Sequence, residues 1–202
     1  MSLFRRSSSE EDDGRFVVVG LGNPGPRYET TRHNLGVMVL DVLLDRTGTR
    51  LKSHKSGCLV GDANIAGTSV AFARPTSYMN ESGRPLGQLA RFYKAAPEQI
   101  VVIHDELDIP FGDVRIKFGG GVAGHNGLKS VAAHLRTKEF PRVRVGVSRP
   151  PERQDPADYV LSNFGSAERN ELPHILERAA DAVERVVADG VERAMNAVNT
   201  RA

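Results

Sequence analysis

A histidine early in the chain and an aspartate at the end of a later apolar run are the residues of this 202-residue sequence best suited to chemistry. His33 stands in Thr31-Arg-His-Asn34, at the head of an apolar stretch, and neutral imidazole is the natural proton acceptor near pH 7. Such a base needs a group to hold its ring. Asp105, in His104-Asp-Glu-Leu-Asp108 after the apolar run Ile100–Ile103, is the carboxylate placed to do so. A carboxylate on the far ring nitrogen fixes the tautomer and stabilises the imidazolium that forms, as in serine-protease triads. The plainer reading of His33 is a residue that caps or packs a helix start. No Gly-x-Ser-x-Gly elbow occurs, and Cys58, the single cysteine, sits in an apolar run where it is expected to fill the core. Water is then the attacking group.

Three asparagines add to this. Asn23, Asn80 and Asn126 stand in turns or at helix starts, and each amide both donates and accepts. Gathered in one cleft, they would hold an ester carbonyl and the oxyanion that develops on it. Taken singly they are ordinary turn formers, and the sequence alone leaves that choice open. The turn Gly20-Leu-Gly-Asn-Pro-Gly25 has the outline of a dinucleotide-binding loop but not its substance. Pro24 and Pro26 remove amide donors where a phosphate would bind. The acids Asp105, Glu106 and Asp108 could instead hold a metal, but strand alternation sends the first two to opposite faces. No Cys or His pair has zinc spacing, so no metal and no cofactor is expected.

The elements that must position these groups follow from periodicity. Phe16–Gly20 is a short β-branched run and reads as a buried strand, with Gly and Pro forcing a turn after it. Arg32 to Arg46 is apolar on most sides and reads as a buried helix. Leu59–Ile65 and Thr68–Ala73 pair across the turn Ala66-Gly67. Tyr78 to Lys94 is a second helix whose first turns Gly83 and Pro85 make irregular. Ile100–Ile103, Val114–Phe118 and Val143–Val147 are further strands, and Asn126–Leu135 is a short helix. Ala167–Ala188 has helical spacing, closed by Gly190. Strands and helices alternate, so the expected fold is α/β: a twisted, mostly parallel but mixed β-sheet with helices on both faces, in one domain over residues 15–202. Functional groups then gather beyond strand C-termini.

Composition sets the class. The chain is 40% hydrophobic and 26% charged, which is ordinary for a globular protein. Residues 1–14 are polar and aperiodic, expected as a disordered tail. No apolar run approaches the ~20 residues that cross a bilayer, no signal peptide is evident, and one cysteine makes no internal disulfide, so the cytoplasm is expected. The net charge is +2, with −2 in the tail and +4 in the remainder, so any RNA contact must come from a local basic cluster.

Four segments together resemble the signatures of bacterial peptidyl-tRNA hydrolases: Gly20-Leu-Gly-Asn-Pro-Gly25 with Tyr28 and Thr31-Arg-His-Asn34, Tyr78-Met-Asn-Glu-Ser-Gly83, His104-Asp-Glu-Leu-Asp108, and Gly124-His-Asn-Gly-Leu128. They occur in the family's order, and the similarity covers about residues 15–199. The resemblance implies a monomeric α/β sandwich that hydrolyses the ester between a peptide and the 3′ ribose of tRNA. It implies His33 as the base that activates water, Asp105 as the acid that keeps it ready, and Asn23 as the residue that tells an N-blocked peptidyl group from a free aminoacyl one. Tyr28, Tyr78, Asn80 and Asn126 match substrate contacts around the acceptor end, Met79 lines the same cleft, and Lys117 and Arg144 match a pair that clamps the 5′ phosphate. The glycine loop departs from the pattern at Val122 and Ala123. If position 123 needs positive φ, alanine there costs ~1 kcal/mol. Two other readings are a non-catalytic RNA binder using the same cleft, for which a base and its orienter would be superfluous, and a nucleotide- or metal-dependent phosphoesterase, which a chelator would silence.

Overall fold

The computed structural model describes residues 14–151 and 153–200. In chain order the elements are β1 (Phe16–Gly20), α1 (Leu35–Thr47), β2 (Lys52–Ser53), β3 (Cys58–Ile65), β4 (Thr68–Pro75), α2 (Gly83–Tyr93), β5 (Ile100–Glu106), β6 (Val114–Phe118), α3 (Asn126–Leu135), β7 (Pro141–Gly146), α4 (Pro156–Val160), α5 (Ser166–Asp189) and α6 (Val191–Asn199). Among the described residues the strands form one sheet in the order β2-β3-β4-β1-β5-β7-β6. β1 pairs in parallel with β4 and β5, and β5 with β7, while β2–β3, β3–β4 and β6–β7 are antiparallel. The parallel centre and antiparallel edges match the expected mixed sheet.

Side-chain alternation along the strands builds a core on each face. Val18, Ile103, Val143 and Val145 pack with Leu35, Val39 and Leu40 of α1 and with Ile175, Ala179 and Val183 of α5. Val17, Val19, Val102 and Phe140 pack with Leu86 and Leu89 of α2 and Leu128 and Val131 of α3. Every residue of β5 is buried, as expected for a strand covered on both sides.

One contact brings the early loop to the end of β5. A Cβ on Gly36 would fall on the carbonyl of Ile103 and on the backbone of Leu21, and one on Gly20 would fall on the Gly36 carbonyl. Glycine at both positions lets the first turn of α1 lie directly on the backbone of β1 and β5. His33, three residues before Gly36, is thereby carried to the C-terminal end of β5.

The elements differ from expectation mainly at their ends. The helix expected from Arg32 begins as a 3-10 turn at Arg32–Asn34 and becomes α-helical at Leu35; the Asn34 amide closes the tighter turn onto the Thr31 carbonyl, and the Arg32 amide donates to the Ser162 carbonyl. The helix expected from Tyr78 opens as a 3-10 turn at Met79–Glu81, and α2 starts at Gly83. Pro85 then falls in the first helical turn, where its missing N–H is no loss. β5 continues beyond Ile103 through Glu106, so Asp105 belongs to the strand itself. β2, α4 and α6 were not expected. The tail expected over residues 1–14 lies, apart from Gly14, outside the described residues. No helix among the described residues is long and apolar enough to cross a membrane.

Candidate active site

Beyond the C-terminal ends of β1 and β5 lies a cleft of about 880 Å³ whose walls include Asn23, His33, Met79, Asn80, Asp105 and Asn126. Six of the ten residues singled out from the sequence thus meet in one place. At its base, His33 Nδ1 donates to both carboxylate oxygens of Asp105, at 2.9 Å and 3.0 Å. The Asp105 side chain is only 2% exposed and that of His33 11%. With Nδ1 committed to the carboxylate, Nε2 of the neutral ring carries the free lone pair.

Burial alone would lower the His33 pKa, but the charge of Asp105 and its hydrogen bond outweigh that, and the net shift is upward. Burial likewise opposes ionisation of Asp105. The charges and hydrogen bonds of His33 and His125 reverse this and hold the carboxyl well below the usual carboxylate range. Asp105 is therefore ionised at any pH where the protein would work.

Three supports keep His33 in place. The Arg32 side chain, 8% exposed, donates to the Asn163 carbonyl at 2.6 Å and to Glu168 at 2.7 Å. Its guanidinium lies 4.3 Å and 5.1 Å from the ring centroids of Tyr159 and Phe164. Thr31 forms a β-bridge with Asn163, so the turn before α1 is tied to the connection between α4 and α5. On the other side Asn34, fully buried, accepts from the Asn23 amide at 2.8 Å and donates to the Asn23 carbonyl at 2.9 Å. This clasp fixes the backbone of Asn23, whose Oδ1 accepts from the Met79 amide at 2.8 Å. The Asn23 Nδ2 group is the arm left for a ligand.

His125, which sequence reasoning did not single out, completes the base of the cleft. Its Nε2 lies 3.1 Å from Asp105 Oδ1, and its Nδ1 accepts from the amides of Gly127 and Leu128 at 3.1 Å and 3.3 Å. The facing atoms of His33, Asp105 and His125 lie within 4.8 Å of one another. The set is nevertheless wired as hydrogen bonds rather than as metal ligands. With Nδ1 of His125 occupied as an acceptor, its Nε2 bears the ring proton and offers no lone pair to a cation. Cys58 lies in the core, 1% exposed, and burial pushes its thiol up to about 11, far from a usable nucleophile.

The other residues picked from the sequence lie outside the walls of this cleft. Tyr28 and Tyr78 meet edge to face with centroids 6.4 Å apart, and Tyr78 is 56% exposed. Lys117 stands opposite Arg142 and Arg144 opposite Arg115 in the β6–β7 ladder. Cross-strand partners and alternate residues share a face, so all four basic side chains project on the α2–α3 side. Arg144 approaches Glu106 at 3.9 Å, and Glu106 does line the cleft. Arg142 is 1% exposed and donates to the carbonyls of Gly119, Gly120 and Gly121. It is the latch of the glycine loop, and nothing in the sequence pattern announced it.

Within that loop Ala123 has φ of 46°, the left-handed conformation in which a Cβ is strained. Ala123→Gly is therefore expected to raise stability by up to about 1 kcal/mol, less the entropy glycine adds to the unfolded chain. Thermal unfolding should show a midpoint higher by a few degrees at most.

The chain is similar to known proteins along nearly its whole length. The family model described as peptidyl-tRNA hydrolase matches residues 17–202. A peptidyl-tRNA hydrolase of Mycolicibacterium smegmatis is 61% identical over 185 residues, 91% of this chain and 97% of that protein. One of Frankia alni is 56% identical, covering 92% of this chain and 94% of its own length. Among solved structures, the peptidyl-tRNA hydrolase of Acinetobacter baumannii superposes with a TM-score of 0.85 at 36% identity, over 93% of this chain and 95% of its own. The cleft, the sheet that builds it and these likenesses converge: the chain belongs to the peptidyl-tRNA hydrolase family.

Proposed function

We propose that His33 is the general base with which the chain carries out its family's reaction, hydrolysis of the ester joining a peptide to the 3′ ribose of tRNA. The observation that carries the reading is the buried His33–Asp105 pair at the wall of a cleft. In the mechanism, His33 Nε2 removes a proton from a water molecule as the water oxygen attacks the ester carbonyl. Asp105 stabilises the imidazolium that forms. The tetrahedral intermediate places negative charge on the former carbonyl oxygen, and amide donors in the cleft wall, Asn23 Nδ2 and the side chains of Asn80 and Asn126, are the groups available to it. Collapse breaks the bond to the ribose oxygen, which takes the proton back from His33 as it leaves. The products are the free peptide acid and tRNA with an intact 3′ end.

Asn23 is also the residue that distinguishes an N-blocked peptidyl group, its fixed carboxamide meeting the substrate's first amide. Met79 supplies an apolar wall, and Tyr28 and Tyr78 offer exposed rings against which the terminal bases stack. Lys117 and Arg144 take the 5′ phosphate of the acceptor stem. The unit works as a single catalytic domain over residues 15–202, as a cytoplasmic monomer, and its chemistry draws on side chains and water.

With only two phosphate contacts, tRNA binding weakens shallowly with salt, by a slope of roughly −2 in a plot of log affinity against log salt. Lys117→Ala or Arg144→Ala should raise KM for full-length substrate, lower that slope by about one each, and leave kcat near wild type. Steady-state kinetics at several salt concentrations check this. The reading as a whole is tested by incubating purified protein with N-acetylaminoacyl-tRNA: release of the acyl group supports it, whereas binding without release would favour an RNA-binding role.

A further inference from the structure

We propose that His125 is a positioning residue for the reaction: the first turn of α3 fixes its tautomer, so that it is a permanent second hydrogen-bond donor to Asp105 and limits how tightly Asp105 holds a proton on His33. The consequence for the rate rests on the reading of His33 as base; the hydrogen-bond arrangement does not.

The opening amides of a helix lack partners within it and are usually met by a Ser, Thr, Asp or Asn oxygen at the N-cap. Here the cap is an imidazole. His125 Nδ1 accepts from the amides of Gly127 and Leu128, which places the ring proton on Nε2, 3.1 Å from Asp105 Oδ1. The opposite tautomer would aim an N–H at two N–H donors and a lone pair at a carboxylate, repulsive at both ends of the ring. A backbone feature, the start of α3, thus dictates which imidazole nitrogen faces the carboxylate.

Asp105 divides its charge between two rings, His33 and His125, whose centroids lie 4.9 Å apart. Each donor to a carboxylate stabilises its ionised form without help from the other. Withdraw His125 and the carboxylate leans wholly on His33, whose protonated form gains. A base that must be neutral to act is then available only at higher pH.

Among the described residues, the other ionisable groups around the pair are engaged. His104 on β5 donates through Nδ1 to the Asp105 main-chain carbonyl, and burial and the nearness of His125 push it down to about 3, so it carries no charge in the working range. Across the cleft Asp108 is bonded to Arg149 at 2.7 Å, Glu106 faces Arg144, and Asp155 caps α4 through the Ala157 amide. Arg32, next to His33, is bonded to Glu168.

His125→Asn separates the two duties. An asparagine oxygen caps the helix as well as any, but the shorter side chain withdraws the donor from Asp105. The midpoint of His33 titration, followed by NMR of its ring, should rise by about half to one pH unit, as expected when one of two donors to a carboxylate is removed. The thermal midpoint should stay close to that of the wild type. The acid limb of the single-turnover rate should move alkaline by the same amount, with the plateau at high pH within a few-fold of wild type. His125→Ala, which loses cap and donor together, should shift the titration equally and lower the thermal midpoint as well. An unmoved His33 midpoint in either variant, or a rate reduced by one factor at every pH, overturns the proposal and makes His125 a structural cap only. Because the NMR midpoint is read without turnover, it stands even if His33→Ala proves active, which would count against the base assignment instead.

Discussion

His33→Ala lowers the single-turnover rate on N-acetylaminoacyl-tRNA by on the order of 10²–10⁴-fold, the contribution of one well-placed general base, and leaves a folded protein. The two parts of this expectation have separate causes. The rate falls because, among the described residues, the cleft holds no second group that can replace the ring: the proton of His125 Nε2 is directed at Asp105 and its other nitrogen is bound to the α3 backbone. Glu106 and Asp108 line the cleft too, but each has a cationic partner. The fold persists because the imidazole lies at a cavity wall rather than in either core, and Asp105 keeps His125 as a donor. KM should change little, since the base touches water more than it touches tRNA. Circular dichroism and a tRNA binding isotherm distinguish this loss from unfolding or from loss of substrate affinity.

Asp105→Asn is expected to cost a comparable factor, on the order of 10²–10⁴, with a signature of its own. Two forces act on His33: burial, which lowers its pKa, and Asp105, which raises it further than burial lowers it. A neutral amide leaves burial alone, so the His33 pKa falls below its ordinary value and the acid limb of the rate moves to lower pH. The rate nevertheless drops at every pH, because no charge remains to stabilise the imidazolium as the water proton arrives. His125→Asn moves the same limb in the opposite direction. Opposite displacements from two partners of one carboxylate are hard to obtain from general loosening of the site, which would lower rates without ordering the limbs by sign. Pre-steady-state rates between pH 5 and 9 for the three proteins make the comparison.

Much of this molecule is legible from sequence because its central strands are extreme. Val17 to Val19 and Ile100 to Ile103 are continuously apolar and β-branched, and each is fully buried between two helical layers. Where burial is one-sided or brief, the signal fades. β2 is two residues long and leaves no periodic trace, whereas α6 carries one, Val191, Ala194, Met195 and Val198 at helical spacing against the core, although only Ala194 is fully buried. α4 had a signal that was passed over, Asp155 followed by Pro156 at the first helical position, the usual opening of a helix.

The site divides in the same way. Types and spacing pointed to His33 and Asp105, which the fold sets side by side across 72 residues. The asparagines at 23, 80 and 126 reach one cleft, which only the packing of α1 on β1 and β5 could decide. Asn34, His125 and Arg142 were not legible, because each is fixed in place by bonds to backbone atoms. Asn34 holds a main-chain amide and carbonyl, His125 caps a helix, and Arg142 gathers three glycine carbonyls. The alternation that marks this strand in the sequence starts at Val143, whereas β7 begins at Pro141 and includes Arg142.

Hydrolysis in this cleft depends on one proton leaving a water molecule for His33. Recording the titration of the His33 ring by NMR, and the single-turnover hydrolysis rate over the same pH range in the same buffer, tests this most directly. The two midpoints should coincide above 6.5, the ordinary histidine value from which His33 is raised, with the rate rising as the ring loses its proton. A rate that runs level through the pH at which His33 deprotonates would contradict it.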